Sequence, residues 1–312
     1  MRLALPEHFR ARIGDRLPAD AEVAWYAPGG LDRAAPGAEA LWLDYLPAPR
    51  VRPLVEAAAE LRWLATGLAG VDGWPLDLIA ERGIVLTNGS GLNAKPVAEF
   101  AVMGLLAMAK DLRALVHAQD RREFLARAPG NVELEGTRAL VIGYGAIGRE
   151  IGRRLKAFDV EITGVRRRPD GEPGVIGPGD WRARLGEFDW IVLAAAATRE
   201  TAGMIGRAEL SAMKPSAVIV NIARGELIDQ GALVEALTAE RLGGAFLDVT
   251  DPEPSPPDDP IWTAPRTLLT SHCAGRAQTH TADRNARFFL DNLERWRAGR
   301  PLANLVDLRL GY

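Results

Sequence analysis

Three side chains with complementary chemistry each follow a short apolar run in the second half of the sequence. Arg224 comes directly after "AVIVNIA", Glu253 stands in the loop after "GAFLDV", and His272 comes directly after "TLLTS". Continuous apolar runs of this length are typical of strands buried on both faces of a parallel sheet. Ligands on such sheets bind beyond the carboxyl ends of the strands, so we expect the three side chains to converge there.

A cation, a carboxylate and an imidazole at one site suit hydride transfer to a carbonyl group. The planar guanidinium of Arg224 can bind a substrate carboxylate and polarise the adjacent C=O. His272 can supply the proton as the hydride arrives, and Glu253 beside it would favour the charged imidazolium. A single histidine at a strand end is more often structural, so it is the set of three that favours catalysis.

A glycine pattern earlier in the chain predicts a dinucleotide-binding loop. "GYGAIG" has the G-x-G-x-x-G spacing between the strand "RALVI" and the helix "REIGRRLKAF". The glycines allow a tight turn, a close approach of the backbone to a pyrophosphate, and close packing of helix on strand. The alternative is a simple strand-to-helix turn. The residues expected to contact the cofactor are Gly143, Tyr144, Gly145, Ala146, Ile147 and Gly148.

The arginines in "GVRRRP" indicate which dinucleotide binds. A carboxylate about 20 residues after the glycines would bind the ribose hydroxyls of NAD, but Arg166 and Arg167 stand there instead. Glu161 comes too early and Asp170 too late to serve. Guanidinium groups would form charge-assisted bonds with the 2′-phosphate, so we expect NADP, with NAD possible at lower preference. The alternative is a solvated charge run and use of either cofactor.

Alternating strands and helices predict an α/β protein with two domains. A Rossmann-type doubly wound parallel sheet is expected in residues 99–281. Residues 1–98 and 282–312 are expected to form a flavodoxin-like substrate-binding domain. One long helix over 94–119 is predicted to lead from the first domain to the second, and a closing helix is predicted over 280–298. The predicted strands cover 21–26, 41–46, 62–67, 84–89, 138–145, 160–165, 190–196, 217–223, 244–249 and 267–271.

Composition excludes several classes of protein. With 38 Lys and Arg against 41 Asp and Glu, the net charge of −3 gives no general attraction to nucleic acid or membrane. The single cysteine excludes a disulfide framework. "MRLALPEHFR" lacks the apolar core of a signal peptide, and the most apolar stretches are too short to span a bilayer. We therefore expect a cytoplasmic protein.

The remaining candidate residues receive structural explanations. His8, His117 and His280 do not have the spacing or the cysteine partners of a zinc site, so no metal is expected. Cys273 is expected to be a small packed side chain rather than a nucleophile, since consecutive residues leaving a strand point in opposite directions.

The segments around the three chemical residues resemble a known family. "VIVNIARGELIDQGALVEAL", "GGAFLDVTDPEP" and "TSHCAG" are similar to the signatures of the D-isomer-specific 2-hydroxyacid dehydrogenases, and the resemblance runs from about residue 60 to 300. Within the family, the NADP-preferring glyoxylate/hydroxypyruvate reductases have the most similar pattern, since they too carry arginine after the second strand. The resemblance implies a homodimer of two-domain subunits with the active site in the cleft between the domains. It also implies that Arg224, Glu253 and His272 are catalytic, that the backbone of Ala69, Gly70 and Val71 holds the substrate carboxylate, and that Thr198, Ala223 and Asp248 line the nicotinamide side.

The chain departs from the family pattern at three positions. Ala196 stands where the family usually has proline, Ser271 replaces the proline before the histidine, and Cys273 replaces an aliphatic residue or threonine. These changes concern the contour of the cofactor site.

Four residues of the first half are weaker pocket candidates. Asn93 and Lys95, just before the long helix, could touch an anionic substrate or have ordinary loop roles. Tyr45 and Trp74 could line the pocket or pack in the core.

The sequence predicts an NADP-dependent reductase that converts small 2-keto acids to D-2-hydroxy acids. A phosphite- or formate-oxidising enzyme is an alternative, although Ala69 offers no extra cation for an inorganic anion. A second alternative is an NADP-sensing interaction protein of the same fold.

Overall fold

The chain divides into two compact units in the computed structural model. Unit 1 comprises Met1–Asn93 and Gln278–Tyr312, and unit 2 comprises Ala94–Ala277. The structure describes residues 1–44, 46–276 and 279–311, so Tyr45 lies outside the described residues. The first unit boundary lies between residues 93 and 94, whereas the predicted domain boundary lies between 98 and 99. The second lies between 277 and 278, whereas the predicted one lies between 281 and 282.

Unit 1 contains a five-stranded parallel sheet in the order β2-β1-β3-β4-β5. This is the flavodoxin-like order, as predicted. β1 was not predicted, although its last four residues are buried. The strands are β1 (Arg2–Pro6), β2 (Glu22–Tyr26), β3 (Ala40–Leu43), β4 (Trp63–Thr66) and β5 (Val85–Thr87). The helices between them are α1 (Arg10–Ile13), α2 (Leu31–Ala34), α3 (Ala48–Ala57) and α4 (Leu76–Glu81).

Unit 2 begins with two helices where one was predicted. α5 (Ala94–Ala109) ends before Asp111, and α6 (Leu112–Asp120) begins after it. Asp111 has a φ of 45°, and its side chain accepts a hydrogen bond from the Ala114 N–H at 3.2 Å. Aspartate is favoured as an N-cap and tolerates the left-handed region, so the polar break at 110–111 outweighs the helical composition around it.

The sheet of unit 2 has seven parallel strands in the order β12-β11-β10-β9-β6-β7-β8. As in a doubly wound sheet, the chain adds strands outward in one direction from β6 and in the opposite direction from β9. The strands are β6 (Arg138–Ile142), β7 (Glu161–Val165), β8 (Val175–Ile176), β9 (Trp190–Leu193), β10 (Val218–Asn221), β11 (Gly244–Leu247) and β12 (Thr267–Leu269). The helices among them are α7 (Ala146–Lys156), α8 (Arg207–Ala212) and α9 (Gln230–Thr238).

Two hydrophobic clusters cover the two faces of this sheet. Alternate residues of one strand enter opposite clusters: Leu140 and Ile142 pack in one, and Ala139 and Val141 in the other. Burial on both faces is why these strands are continuous apolar runs in the sequence. The predicted strands of unit 2 are all present and shorter than predicted, and the two-residue β8 was not predicted.

The last helix, α10 (Thr281–Arg297), completes unit 1. The ring of Phe289 stacks on Trp42 at 4.6 Å and on Trp63 at 5.3 Å between centroids. Leu293 is buried in the same cluster. The predicted closing helix is therefore confirmed. Within the described part of the chain, we find no helix with both the length and the apolar character needed to cross a bilayer.

Candidate active site

The glycine loop joins β6 to α7, and the absence of a side chain has a different geometric consequence at each of its three glycines. Gly143 has a φ of 96°, and a Cβ there would collide with the backbone of Ala194 and Ala195. A Cβ on Gly148 would collide with the carbonyl oxygen of Gly143, so helix and loop could not approach as closely. A Cβ on Gly145 would meet nothing within 4 Å in the described chain. The loop therefore leaves open space beside Gly145, at the N-terminal end of a helix.

The other residues of the loop divide between core and surface. The ring of Tyr144 is 8% exposed and packs against Gly152 and Gly164, where a Cβ would overlap it. Ala146, at the start of α7, is exposed, and Ile147 is half-buried. The side chain of Tyr144 is thus part of the core, and its burial raises the pKa of its hydroxyl.

An ion pair connects the first turns of α7 to the loop after β7. Arg149 bonds the carboxylate of Glu172, which lowers the pKa of that carboxyl. The guanidinium of Arg149 also lies 5.4 Å from the ring centroid of Tyr144.

Three arginines follow β7 directly, as the sequence predicts. Arg166 Nη2 lies 4.0 Å from a carboxylate oxygen of Asp170, and Arg167 Nη2 lies 2.7 Å from Glu200 Oε2. The Arg166 and Arg167 side chains are about one-third exposed, and Arg168 is exposed. Two guanidinium groups in partial contact with solvent therefore stand at the carboxyl end of β7.

Glu253 and His272 meet, although 19 positions separate them in the sequence. His272 Nδ1 lies 2.7 Å from Glu253 Oε1, and the two side chains are 35% and 39% exposed. His272 has a φ of 51°, in the left-handed region, and its N–H donates to the carbonyl oxygen of Asp248 at 2.7 Å. The carboxylate engages one ring nitrogen and leaves Nε2 for other partners.

Arg224 follows β10 on an extended backbone. Its Nη1 donates to the carbonyl oxygen of Ala223 at 2.7 Å, and its own carbonyl oxygen accepts from Asn221 Nδ2 at 2.8 Å. A Cβ on the next residue, Gly225, would collide with the carbonyl oxygen of Thr250. The Arg224 turn therefore packs backbone to backbone on the start of the loop that carries Glu253.

Two residues expected to line the nicotinamide side are held by protein contacts. Asp248 is 1% exposed, and both its carboxylate oxygens accept hydrogen bonds from the loop after β12. The Thr198 N–H donates to Thr201 Oγ1 at 2.8 Å. The third, Ala223, is 8% exposed.

In unit 1, the predicted substrate-binding backbone follows β4. Val71 is buried, and the carbonyl oxygen of Ala69 accepts from Asn88 Nδ2 at 2.7 Å. The side-chain oxygen of Asn93 is buried and has no hydrogen-bond partner among the described residues. Gly70 lies between the hydrogen-bonded Ala69 and the buried Val71. Asn88, a buried asparagine directly after β5, was not predicted to belong to this site.

The remaining candidates have ordinary contacts. Trp74 packs in the core of unit 1, and Lys95 is exposed. The sulfur of Cys273 is 3.5 Å from the Ser271 carbonyl oxygen, and His8 lies 3.5 Å from Asp44. The described residues contain no group of three or more His, Cys, Asp or Glu that could hold a metal ion.

Known proteins share both the sequence pattern and the fold of this chain. Residues 102–274 match the model of the family described as D-isomer specific 2-hydroxyacid dehydrogenase, NAD binding domain. A glyoxylate reductase of Korarchaeum cryptofilum is 32% identical over 259 residues, which cover 81% of this chain and 78% of that protein.

Two further comparisons concern length and three-dimensional structure. A D-3-phosphoglycerate dehydrogenase of Archaeoglobus fulgidus is 31% identical over 265 residues, which cover 82% of this chain and 49% of that protein. The chain thus spans about half the length of this relative. An NADPH-dependent glyoxylate/hydroxypyruvate reductase from Sinorhizobium meliloti, solved with NADP and malonate, is similar with a TM-score of 0.78 at 26% identity, over 99% of this chain and 98% of that one.

Proposed function

Since the chain belongs to the D-isomer specific 2-hydroxyacid dehydrogenase family, we propose that it is an NADP-dependent reductase of small 2-keto acids. The substrate class is that of glyoxylate and hydroxypyruvate, and the product is the D-2-hydroxy acid. The observation that carries this proposal is the 2.7 Å contact of His272 Nδ1 with Glu253 Oε1, on loops that follow neighbouring strands.

His272 is the proton donor in this proposal. Because Glu253 engages Nδ1, the ring is oriented with Nε2 available to protonate the carbonyl oxygen of the substrate. The imidazolium is the form that donates this proton. In the reverse direction, the neutral ring accepts the proton of the hydroxyl group.

Arg224 binds the carboxylate of the keto acid. Arg224 as a residue is half-buried, and its turn is held by Asn221. A planar fork of N–H donors matches a carboxylate and can also polarise the neighbouring carbonyl. The backbone of Ala69, Gly70 and Val71, together with Asn93, would complete the substrate contacts from residues 1–98 and 282–312, the proposed substrate-binding domain.

The glycine loop fits the pyrophosphate of a dinucleotide. Open space beside Gly145 at the start of α7 gives an anion access to backbone N–H groups of the helix terminus. When bound there, NADPH supplies the hydride. Thr198, Ala223 and Asp248 are the proposed neighbours of its nicotinamide side.

Arg166 and Arg167 would hold the 2′-phosphate of NADP. They stand past β7, where a carboxylate would favour NAD, and a phosphate can replace the exposed carboxylates that now face them. The similar reductase from Sinorhizobium meliloti is described as NADPH-dependent, which supports the same preference here. A homodimeric assembly in the cytoplasm is part of the proposal.

Initial rates with glyoxylate, hydroxypyruvate and phenylpyruvate, each with NADPH and with NADH, test the proposed function. We expect turnover of at least one keto acid, a strong preference for NADPH and a D-2-hydroxy acid product. Equal rates with NADH would contradict the role of the arginines. Tight binding of NADPH without turnover of any keto acid would contradict the enzymatic proposal and favour an NADP-sensing protein.

A further inference from the structure

Two buried polar side chains stand at the carboxyl ends of the adjacent strands β10 and β11. Asn221 is 0% exposed and Asp248 is 1% exposed. Buried polar groups are costly unless they are hydrogen-bonded. The partners of these two therefore show what each of them stabilises.

Asn221 uses both ends of its amide on the turn that carries Arg224. Its Nδ2 donates to the carbonyl oxygen of Arg224 at 2.8 Å, and its Oδ1 accepts from the Ala223 N–H at 3.0 Å. This turn offers one acceptor and one donor, so an amide satisfies it and a carboxylate would not.

Among the described residues, the carboxylate of Asp248 contacts only hydrogen-bond donors. Its Oδ1 accepts from the Thr270 hydroxyl at 2.6 Å and from the Cys273 N–H at 2.7 Å, and its Oδ2 accepts from the Ala274 N–H at 2.9 Å. Its carbonyl oxygen accepts from the His272 N–H. A carboxylate can accept all three side-chain bonds, whereas an amide would place its NH₂ group against at least one donor.

We infer that Asn221 and Asp248 are positioning residues that act through different catalytic residues, Asn221 through Arg224 and Asp248 through His272. This inference rests on the proposed function. His272 has a left-handed backbone conformation, which persists only where surrounding contacts hold it. Asp248 makes those contacts on both sides of the histidine, at positions 270, 273 and 274.

Exchanging the two side-chain types separates the two roles. Asn221→Asp places an oxygen against the Arg224 carbonyl, and Asp248→Asn places an NH₂ group against N–H or O–H donors. We expect Asn221→Asp mainly to raise the KM of the keto acid and Asp248→Asn mainly to lower kcat. An unpaired buried group corresponds to a change of about ten- to a hundred-fold in each case.

Milder variants cover the case in which an exchange prevents folding. Thr270→Val removes one of the three donors to Asp248 and should lower kcat less, without changing KM. Asn221→Ala removes both bonds without adding a repulsive contact and should raise KM less than Asn221→Asp.

Asn292→Asp is the matched control. Asn292 is 0% exposed and, like Asn221, donates from Nδ2 and accepts at Oδ1, with both bonds to the backbone of Ala303. It lies on α10, which belongs to unit 1, whereas both proposed catalytic turns belong to unit 2. This variant should lower the melting temperature without changing KM selectively or kcat selectively.

Hydrogen exchange gives a readout that does not depend on activity. Asn221→Asp should raise amide exchange within residues 222–228 and Asp248→Asn within 270–276, each leaving the other turn protected. Equal changes of KM and kcat in both variants, or faster exchange of both turns in each, would overturn the inference. If the wild-type protein reduces no keto acid, the proposed function fails, and the exchange pattern alone decides whether each residue holds its own turn.

Discussion

The carboxyl edge of the unit 2 sheet is built in two different ways along its length. After β6, glycines create space: Gly143 and Gly148 remove side chains that would collide with backbone, and Gly145 leaves its surroundings open. After β10 and β11, buried polar side chains fill the space and hold turns, as Asn221 and Asp248 do. The proposed cofactor region thus depends on side chains that are absent. The proposed catalytic region depends on hydrogen bonds from buried side chains, which are local for Asn221 and long-range for Asp248.

His272→Ala should have the largest effect and should affect chemistry alone. Loss of the proton donor is expected to lower kcat by about 10²- to 10⁴-fold with either cofactor. Initial rates at saturating keto acid measure this. Glu253→Gln keeps a hydrogen-bonding group beside Nδ1 and should lower kcat less than His272→Ala does. A kcat of His272→Ala near the wild-type value would show that another group transfers the proton.

Gly148→Ala and Gly145→Ala should distinguish a glycine that the protein needs for close packing from a glycine that leaves space for the cofactor. The added methyl group at position 148 meets the carbonyl oxygen of Gly143, so we expect a loss of about 1–3 kcal/mol in the free energy of unfolding. The methyl group at 145 meets no protein atom in the described chain and should weaken NADPH binding with little change in stability. Denaturant unfolding and fluorescence titration measure the two effects. Equal destabilisation by both changes would contradict the assignment of open space to the ligand.

Replacing Arg166 and Arg167 together by alanine should change the choice of cofactor. Loss of charge-assisted bonds to the 2′-phosphate is expected to weaken NADPH about ten- to a hundred-fold and to leave NADH unchanged. Arg207→Ala is the matched control, because Arg207 is another exposed arginine paired with a glutamate, Glu235. Equal weakening of both cofactors would show that the arginines do not read the 2′-phosphate.

Glu172→Gln should have the smallest effect, since it removes one exposed ion pair beside the glycine loop. The pKa of Glu172 is lowered by Arg149, so the carboxylate stabilises the fold above its unfolded-state pKa, and this contribution is lost as the pH falls through the lowered folded-state pKa. We expect the melting temperature of the variant to be about 1–3 °C lower at neutral pH. The difference should shrink below the ordinary glutamate pKa of about 4.3. A difference that does not depend on pH would exclude the ion pair as its cause.

The sequence predicts the parts of this molecule that depend on local pattern. The strands buried on both faces read as apolar runs, and the spacing of Gly143, Gly145 and Gly148 matches the geometry found after β6. The approach of Glu253 to His272 was predictable because parallel strands end at one edge.

The parts that depend on long-range bonding were harder to predict. Asp248 was expected only beside the cofactor, because nothing local shows that its donors lie at positions 270, 273 and 274. The break at Asp111 was masked by the helical composition on both sides. A buried polar residue directly after an apolar strand, as Asp248 and Asn88 are, is a local signal of such contacts.

The proposed separation of catalysis from cofactor binding is tested most directly by the affinity of His272→Ala for NADPH, measured by fluorescence titration on the same preparation used for rates. We predict a dissociation constant equal to that of the wild-type protein, although turnover is lost. Loss of NADPH binding together with turnover would contradict it, because the histidine would then belong to the cofactor region and not to a separate catalytic one.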